Sequence, residues 1–431
     1  RPLAIALATV GRLFTTAWVF IRYAAIGVMR KLRGERDIGP TLVRNAFEDL
    51  GPTYLKLGQL IASSHGLFPE AYCKEFQKTL DRVKPFAYAD VERTLAVELR
   101  ARPDKLFAKL DAEPLASASI AQVHAARLHD GRDVVVKIQR PHIERRVAAD
   151  IRILRLGAQL LSLVPTVELA NPVGIIDDFD HTIAEELDFT REAANMDEFN
   201  RIMDELGHAD VRAPRIVHEL TTRRVITMER FHGVRVDDVE RVRARAQDTE
   251  GMLVYGLRCW FQSMILYGFF HGDVHAGNLM MLDAKEGEAP ALGFLDFGIV
   301  GRFDKKTRRQ IAEYIVAFAS GDFRALGRVM MSMGAMSHGI DLDAVAGDLK
   351  KAYAPILTTS FGDLNYGSVL PDILRASVKH QMRLPREFVL VTKQMLYFDR
   401  YAKLLAPKLN IFSDPRLVAA ISEDVMRARM S

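Results

Sequence analysis

The chain has 431 residues, of which 49% are hydrophobic and 26% charged, which predicts an ordered globular protein of one bilobed unit or two to three domains and excludes a disordered one. Because 59 basic residues accompany only 55 acidic ones, the net charge of +4 gives no argument for nucleic-acid binding. Two cysteines are too few for a disulfide scaffold or a cysteine zinc site, so a reducing compartment is expected.

The first predicted element is an apolar helix in the segment 1–39. Residues 2–29 are largely apolar, but Arg12 and Arg22 interrupt them. A spanning helix needs about 20 mostly apolar residues, so two arginines favour an amphipathic helix. Such a helix either lies along a membrane or packs on its own protein, and the sequence leaves both open.

A helical extension is predicted over residues 40–112, where apolar positions recur every three or four residues up to about Leu99. Within it, Lys56 and Gln59 are three positions apart and therefore share one helix face. Taken alone, this pair is typical of a solvated helix face.

A small β-containing lobe is predicted over residues 113–230. Strand-like runs at 119–128 and 134–138 flank an Asp-Gly turn, which indicates a β-hairpin. Lys137 follows three valines in the second run, at the place where protein-kinase-like folds keep the lysine that holds the α and β phosphates. The loop expected over the phosphates, Ala116-Ser117-Ala118-Ser119, has no glycine and should be stiffer than a glycine-rich loop.

Helical patterning resumes over residues 142–205, with breaks expected near Pro165 and Pro172. An acidic partner for Lys137 should come from residues 185–195 of this region. A second pair of strands is predicted at 215–217 and 225–228. Chain order then makes Met228, Glu229 and Phe231 the linker whose backbone meets adenine, before a mainly helical lobe over 231–431.

The most specific pattern is HGDVHAGN at residues 271–278, followed by LDFG at 295–298. In protein-kinase-like folds this spacing supplies an aspartate for the attacking hydroxyl, here Asp273. It also supplies two ligands for Mg²⁺ on the phosphates, here Asn278 and Asp296. The alternative is a polar turn before a buried strand, but that requires several residue types to coincide by chance within a short window.

Together these motifs resemble the UbiB family, also called the ADCK or AarF family, of atypical protein-kinase-like proteins. The resemblance covers nearly all of the chain from about Gly51 onward. It overturns the solvated-face interpretation of Lys56. Its marks are Lys-x-Gly-Gln at Lys56 and Gln59, the alanine-rich loop 116–119, Glu-x-Asp at Glu186 and Asp188, the helix glutamate Glu192, and the motifs at 271–278 and 295–298.

The resemblance implies an α+β, bilobed protein-kinase-like fold whose N-terminal helical extension covers the active site. It also implies roles for individual residues. Lys56 and Gln59 would reach toward the nucleotide and interact with Glu186 and Asp188, Glu192 would pair with Lys137, Asp273 would be catalytic, and Asn278 and Asp296 would hold Mg²⁺.

By resemblance, the activity is that of an ATPase or atypical kinase that uses ATP or ADP with Mg²⁺. It would support isoprenoid quinone or related lipid biosynthesis at the cytoplasmic face of a bacterial inner membrane. The implied partners are a membrane lipid or isoprenoid quinone precursor and lipid-biosynthesis enzymes; a homodimer is left open, and no nucleic acid is expected. A soluble small-molecule kinase and a nucleotide-sensing scaffold are the alternatives.

The sequence departs from the family pattern at two places, which concern the lipid that the protein serves and its membrane anchor. Residues 396–401 are more polar than is usual for the family at that place. A lipid other than a quinone is therefore an alternative for the molecule on which the protein acts. Many bacterial relatives end in spanning helices, and no such segment occurs before Ser431. An anchor is therefore expected either outside this sequence or not at all in this branch.

Overall fold

The computed structural model describes two compact units. Unit 1 comprises Arg1–Arg191 and Ile216–Arg230, and unit 2 comprises Glu192–Arg215 and Phe231–Ser431. Both contain helices and mainly antiparallel sheets, which confirms the α+β prediction. The described residues are 2–63, 68–78, 83–164, 171–246, 248–283, 291–336, 341–359, 375–376, 379–380, 382, 391, 394, 398, 402–410 and 414–430.

Unit 1 begins with the predicted helices. Gly51, at a φ of +87°, ends the second of them, and Pro52 starts the third, where a missing N–H costs nothing. No helix among the described residues has both the length and the apolar character to cross a membrane. The helices are α1 Pro2–Leu32, α2 Gly39–Leu50, α3 Pro52–Ser63, α4 Glu70–Phe76, α5 Tyr88–Glu98 and α6 Pro103–Leu106.

The sheet of unit 1 has the antiparallel order β1-β2-β3-β5. Its strands are β1 Lys109–Ser117, β2 Ala121–Arg127, β3 Asp133–Gln139 and β5 Val225–Glu229. Val123 pairs with Lys137, which confirms the predicted hairpin.

The strand predicted at 215–217 is wrong. Pro214 has no N–H, and a turn of 3₁₀ helix starts at His218, so only Ile216 forms a single bridge, to Met228. A strand that was not predicted, β4 Val211–Arg212, lies just before it and belongs to unit 2.

The described part of the predicted helical stretch contains three helices: α7 Ile143–Leu161, α8 Pro172–Glu186 and α9 Phe189–Glu205. The break expected near Pro172 is confirmed, since Asn171 caps α8 by accepting from Gly174 N–H. The break expected near Pro165 lies outside the described residues. A further break separates α8 from α9, where the Asp188 carboxylate accepts from Thr190 N–H at 3.1 Å.

The described residues of unit 2 form helices, as predicted, and also short strands around the two motifs, which were not predicted. Where unit 2 is described, its strands form two sheets, of order β4-β9-β8-β6 and β10-β7. The strands are β6 Gly233–Arg235, β7 Phe269–His271, β8 Leu279–Leu282, β9 Leu292–Phe294 and β10 Val300–Arg302; the helices are α10 Val239–Arg245, α11 Thr249–Gln262, α12 Lys305–Ala319, α13 Phe323–Ser332, α14 Leu342–Thr358 and α15 Pro415–Met430.

Candidate active site

His271 joins the two motifs of unit 2. Its Nδ1 accepts from Asp273 N–H at 3.1 Å, so the proton sits on Nε2, which donates to the Leu295 carbonyl at 2.9 Å. Burial lowers the pKa of His271, because a charged imidazolium would lose its hydration there. A neutral histidine therefore ties the loop that carries Asp273 to the residue just before Asp296.

Asn278 lies beside both aspartate-bearing segments. Its Nδ2 donates to the Asp273 carbonyl at 3.0 Å, and its own carbonyl accepts from Leu295 N–H at 2.8 Å. The pairing of Leu279 with Phe294 continues this contact along β8 and β9. The structure thus brings Asp273, Asn278 and the start of the Asp-Phe-Gly motif to one end of a strand pair.

Asp296 has a left-handed φ of +55°, a region in which aspartate is more readily found than most residues. Its side chain is exposed, and its Oδ1 accepts from Gly298 N–H at 3.2 Å. The turn therefore directs the carboxylate outward at the place where the strand ends.

The donor set at this end fits Mg²⁺. Asn278 uses its amide nitrogen on Asp273, so its amide oxygen is the atom it offers to a cation, and Asp296 contributes a carboxylate. Kinase-type Mg²⁺ takes its other ligands from phosphates and water. The described part of the chain holds no group of three or more His, Cys, Asp or Glu residues able to bind a metal ion.

The helix α9 carries the predicted Glu192 and a residue that the sequence did not reveal. Glu192 is buried. Asn195 Nδ2 donates to the carbonyl of Phe297 at 2.9 Å, and its Oδ1 accepts from Arg302 at 2.8 Å. Asn195 follows Glu192 by three positions and so shares its helix face, which is the signal that could have found it.

In unit 1, Lys56 and Glu186 meet as predicted. Lys56 Nζ on α3 lies 2.7 Å from Oε1 of Glu186 at the end of α8, and their side chains are 23% and 9% exposed. Gln59 lies half-buried one turn further along α3. Gly58 lets this helix pack closely, since a Cβ there would be 2.7 Å from the Phe76 ring.

Lys137 is half-buried on β3, and its Nζ lies 5.1 Å from the centre of the Phe189 ring. Phe189 follows Asp188, which caps α9 through Thr190. Lys137 belongs to unit 1 and Glu192 to unit 2, and their pairing stays a prediction.

The expected phosphate loop is shorter than predicted. Ala116 and Ser117 still lie in β1, paired with Val123 and Gln122, so only Ala118 and Ser119 belong to the turn before β2. The strand continues because an alanine-serine run keeps its backbone pairing, where a glycine-rich one would lose it more readily.

Arg140, which the sequence did not single out, braces this turn. Its guanidinium donates to the Ala118 carbonyl and to Ser117 Oγ, both at 2.9 Å. The side chain of Arg140, which lies directly after β3, thus holds this turn in place through hydrogen bonds.

The predicted adenine linker lies where the chain passes from unit 1 to unit 2. Met228 and Glu229 pair with Val135 and Val134 at the end of β5, and unit 2 resumes at Phe231. The Phe231 ring lies 4.6 Å from the Arg212 guanidinium. Contact of this linker with adenine stays a prediction.

The polar stretch 396–401 lies outside the described residues except for Phe398. Phe398 is buried, and its ring centre lies 5.6 Å from that of Trp260. The structure therefore gives no test of that departure from the family pattern.

Two family models and several known proteins match the chain over most of its length. A family model described as "ABC1 atypical kinase-like domain" matches residues 78–330, and one described as "UbiB helical domain" matches residues 349–410. The chain is 41% identical over 374 residues to an uncharacterized protein of Mycobacterium tuberculosis, a match that covers 86% of this chain and 75% of that protein. It is 30% identical over 414 residues to a probable protein kinase UbiB of Xylella fastidiosa, covering 96% and 73%.

Among solved structures, the complex of Rv3197 with erythromycin from Mycobacterium tuberculosis is similar in fold. Its TM-score is 0.55 at 22% sequence identity, over 93% of this chain and 98% of that chain. At this identity the likeness supports the fold alone.

Proposed function

The chain belongs to the UbiB family of ABC1 atypical kinase-like proteins, and from that membership we propose that it is a Mg²⁺-dependent ATPase or atypical kinase. It binds ATP or ADP and acts beside a membrane, in support of isoprenoid quinone or related lipid biosynthesis. The observation that carries the proposal is the convergence of Asp273, Asn278 and the Asp-Phe-Gly motif at one end of β8 and β9.

Each residue of this group has a definite part in the proposed reaction. Bound Mg²⁺ supplies positive charge that offsets the charge developing on the phosphates. Asn278 and Asp296 hold the ion, while Asp273 orients the attacking hydroxyl or water and accepts its proton. Lys137 holds the α and β phosphates, and Glu192 keeps Lys137 oriented.

The contact between Lys56 and Glu186 supports an acceptor other than a protein. A carboxylate that is 9% exposed pairs with the Lys56 ammonium and holds α3 against the end of α8. Under the proposal, Lys56 and Gln59 occupy the place where a protein substrate would dock on an ordinary kinase. A small or lipid acceptor, or water, is then the substrate.

The exposed face of α1 supports a membrane location. Phe14, Trp18, Ile21 and Val28 recur at helical spacing and are 60% to 72% exposed. Arg30 and Lys31 lie in the last turn, where they can meet anionic headgroups. An exposed apolar stripe with basic residues at its end is typical of a helix that lies in the plane of a membrane.

ATP turnover with Mg²⁺ tests the proposal, measured with and without anionic lipid vesicles. Asp296→Asn and Asp273→Asn should each lower turnover at least 100-fold. Asp204→Asn, which changes an exposed aspartate on α9, is the matched control and should leave turnover unchanged. Equal turnover in the parent and Asp296→Asn, or none in the parent under either condition, would overturn the proposal.

A further inference from the structure

A buried glutamine bonds to both peptide groups that flank Asp273. Gln394 is fully buried, and its Nε2 donates to the Gly272 carbonyl at 2.5 Å. Its Oε1 accepts from Val274 N–H at 2.7 Å. Because one partner is a carbonyl and the other an N–H, the orientation of the amide is fixed, and the side chain bridges the peptide groups on either side of Asp273.

These two bonds complete the restraint of the backbone around Asp273. Asp273 N–H donates to His271 Nδ1, and its carbonyl accepts from Asn278 Nδ2 and His275 N–H. Gly272 N–H donates to the Ile299 carbonyl at 2.9 Å. With Gln394 included, both peptide groups of Asp273 are held on both of their polar edges.

The source of the restraint distinguishes Gln394 from the other partners. His271, His275, Asn278 and Ile299 all lie in or beside the two motifs, whereas Gln394 lies far along the chain. It therefore links the carboxy-terminal part of unit 2 to the proposed catalytic loop.

We propose that Gln394 is a positioning residue that sets the direction of the Asp273 carboxylate for the reaction. The inference rests on the proposed function. Gln394 does not touch the reacting atoms; it acts through the backbone of Gly272 and Val274. A displacement of about 1 Å at a catalytic group can cost on the order of 100-fold in rate, so two bonds to the neighbouring peptides are enough to matter.

The chemistry of the position favours glutamine over its nearest substitutes. Glutamate can accept from Val274 N–H but, when ionised, cannot donate to the Gly272 carbonyl, and it places a charge in a fully buried site. Asparagine is one methylene shorter and cannot span both partners without moving the loop. Methionine fills a similar volume and removes both hydrogen bonds, so it is the most informative replacement.

The test compares Gln394→Met with Gln262→Met in the full chain. Gln262 is a second buried glutamine of unit 2, whose amide bonds to His208 and Asp424 instead of to the catalytic loop. Amide hydrogen exchange of residues 272–278 is measured first, because it needs no substrate. Exchange should become at least ten times faster in Gln394→Met and stay unchanged in Gln262→Met.

The kinetic part of the test separates positioning from general destabilisation. In Gln394→Met, kcat should fall about 10- to 100-fold. The Kd for ATP with Mg²⁺ should stay within about threefold, since Asn278 and Asp296 keep their own contacts. If Gln394→Met does not fold by circular dichroism, Gln394→Asn, which stays neutral but is too short to bond to both partners, takes its place and should also accelerate exchange at residues 272–278.

Unchanged exchange at residues 272–278 in the Gln394 variant, or equal acceleration in both glutamine variants, would overturn the inference. A loss of ATP affinity as large as the loss of kcat would also overturn it. If the parent turns over no ATP, the proposed function fails, and the exchange measurement still decides whether Gln394 holds the loop.

Discussion

The ammonium nitrogen of Lys56 lies 2.7 Å from Oε1 of Glu186. This ion pair fastens α3 of the helical extension to the last residue of α8, immediately before the turn that starts α9. Among the described residues, Oε1 has no hydrogen-bond donor besides this ammonium. The pair therefore serves both as a packing contact and as the charge partner that keeps Lys56 in place.

A double-mutant cycle with Lys56→Met and Glu186→Gln should give a coupling free energy of about 1–2 kcal/mol, because removing one partner leaves the other charge largely buried. Urea unfolding of the four proteins measures it. The matched control is the exposed pair of Lys74 and Glu70 on α4, which should couple by less than about 0.5 kcal/mol. Equal coupling in the two cycles would count against the structural role of Lys56.

Gly58 should be sensitive to the smallest possible side chain. A Cβ there would lie 2.7 Å from the ring of Phe76, which is buried, so Gly58→Ala should lower the free energy of unfolding by about 1–3 kcal/mol. At Gly157 on α7 a Cβ would meet no heavy atom within 4 Å. Gly157→Ala should therefore raise stability by about 0.5–1 kcal/mol, and the reverse order of the two variants in urea unfolding would contradict the packing of α3.

His124 should make unit 1 less stable in mild acid. Its Nδ1–H donates to the Asp111 carbonyl at 2.8 Å and its Nε2 accepts from Gln122 at 2.8 Å, so an added proton has no acceptor. Burial lowers the pKa of His124 below its ordinary value of 6.5. The unfolded chain then binds the proton first, so stability is intact above pH 6.5 and falls as the pH drops from there toward the folded pKa.

The charged and titratable groups near His124 do not reverse this sign. The pKa of Asp111 is lowered by its hydrogen bond to Lys109, and the pKa of Tyr88 is raised by burial, so neither group changes charge near pH 6.5. Thermal unfolding between pH 7.5 and 5.5 should therefore show a shallower loss of stability in His124→Gln than in the parent, by at most about 1.4 kcal/mol per pH unit. Parallel profiles would contradict the account.

Trp18 should report membrane contact by α1. The chain has two tryptophans, and Trp260 is 1% exposed whereas Trp18 is 63% exposed, so a blue shift of fluorescence on adding anionic vesicles would come from Trp18. Phe14→Glu should weaken vesicle binding about 10- to 100-fold, because the variant loses the free energy of burying one aromatic side chain in the membrane. The control is Val97→Glu. Val97 lies on α5 and is 68% exposed, close to the 72% of Phe14, and this variant should leave binding unchanged.

Local sequence patterns predicted much of the fold and singled out the residues of the two motifs. An Asp-Gly turn specified the hairpin that carries Lys137, whereas the strand pair around Asn278 and Asp296 was not predicted. Resemblance supplied the contact between Lys56 and Glu186, which no spacing within either helix could have shown.

What the sequence could not show depends on contacts between distant segments. Gln394, Asn195 and Arg140 act through hydrogen bonds to backbone groups of segments distant in the sequence, and nothing around them differs from ordinary helix or strand composition. The strand expected at 215–217 failed because a neighbouring proline and 3₁₀ turn outweighed the β propensity of Ile216 and Val217.

The most direct test of the central claim is a crystal structure of the protein with Mn²⁺ in place of Mg²⁺ and a non-hydrolysable ATP analogue. The anomalous signal of the metal should lie about 2.0–2.3 Å from both the Asn278 amide oxygen and the Asp296 carboxylate, with phosphate oxygens completing its coordination. A nucleotide bound without metal between these two side chains, or metal and nucleotide bound elsewhere, would contradict the account.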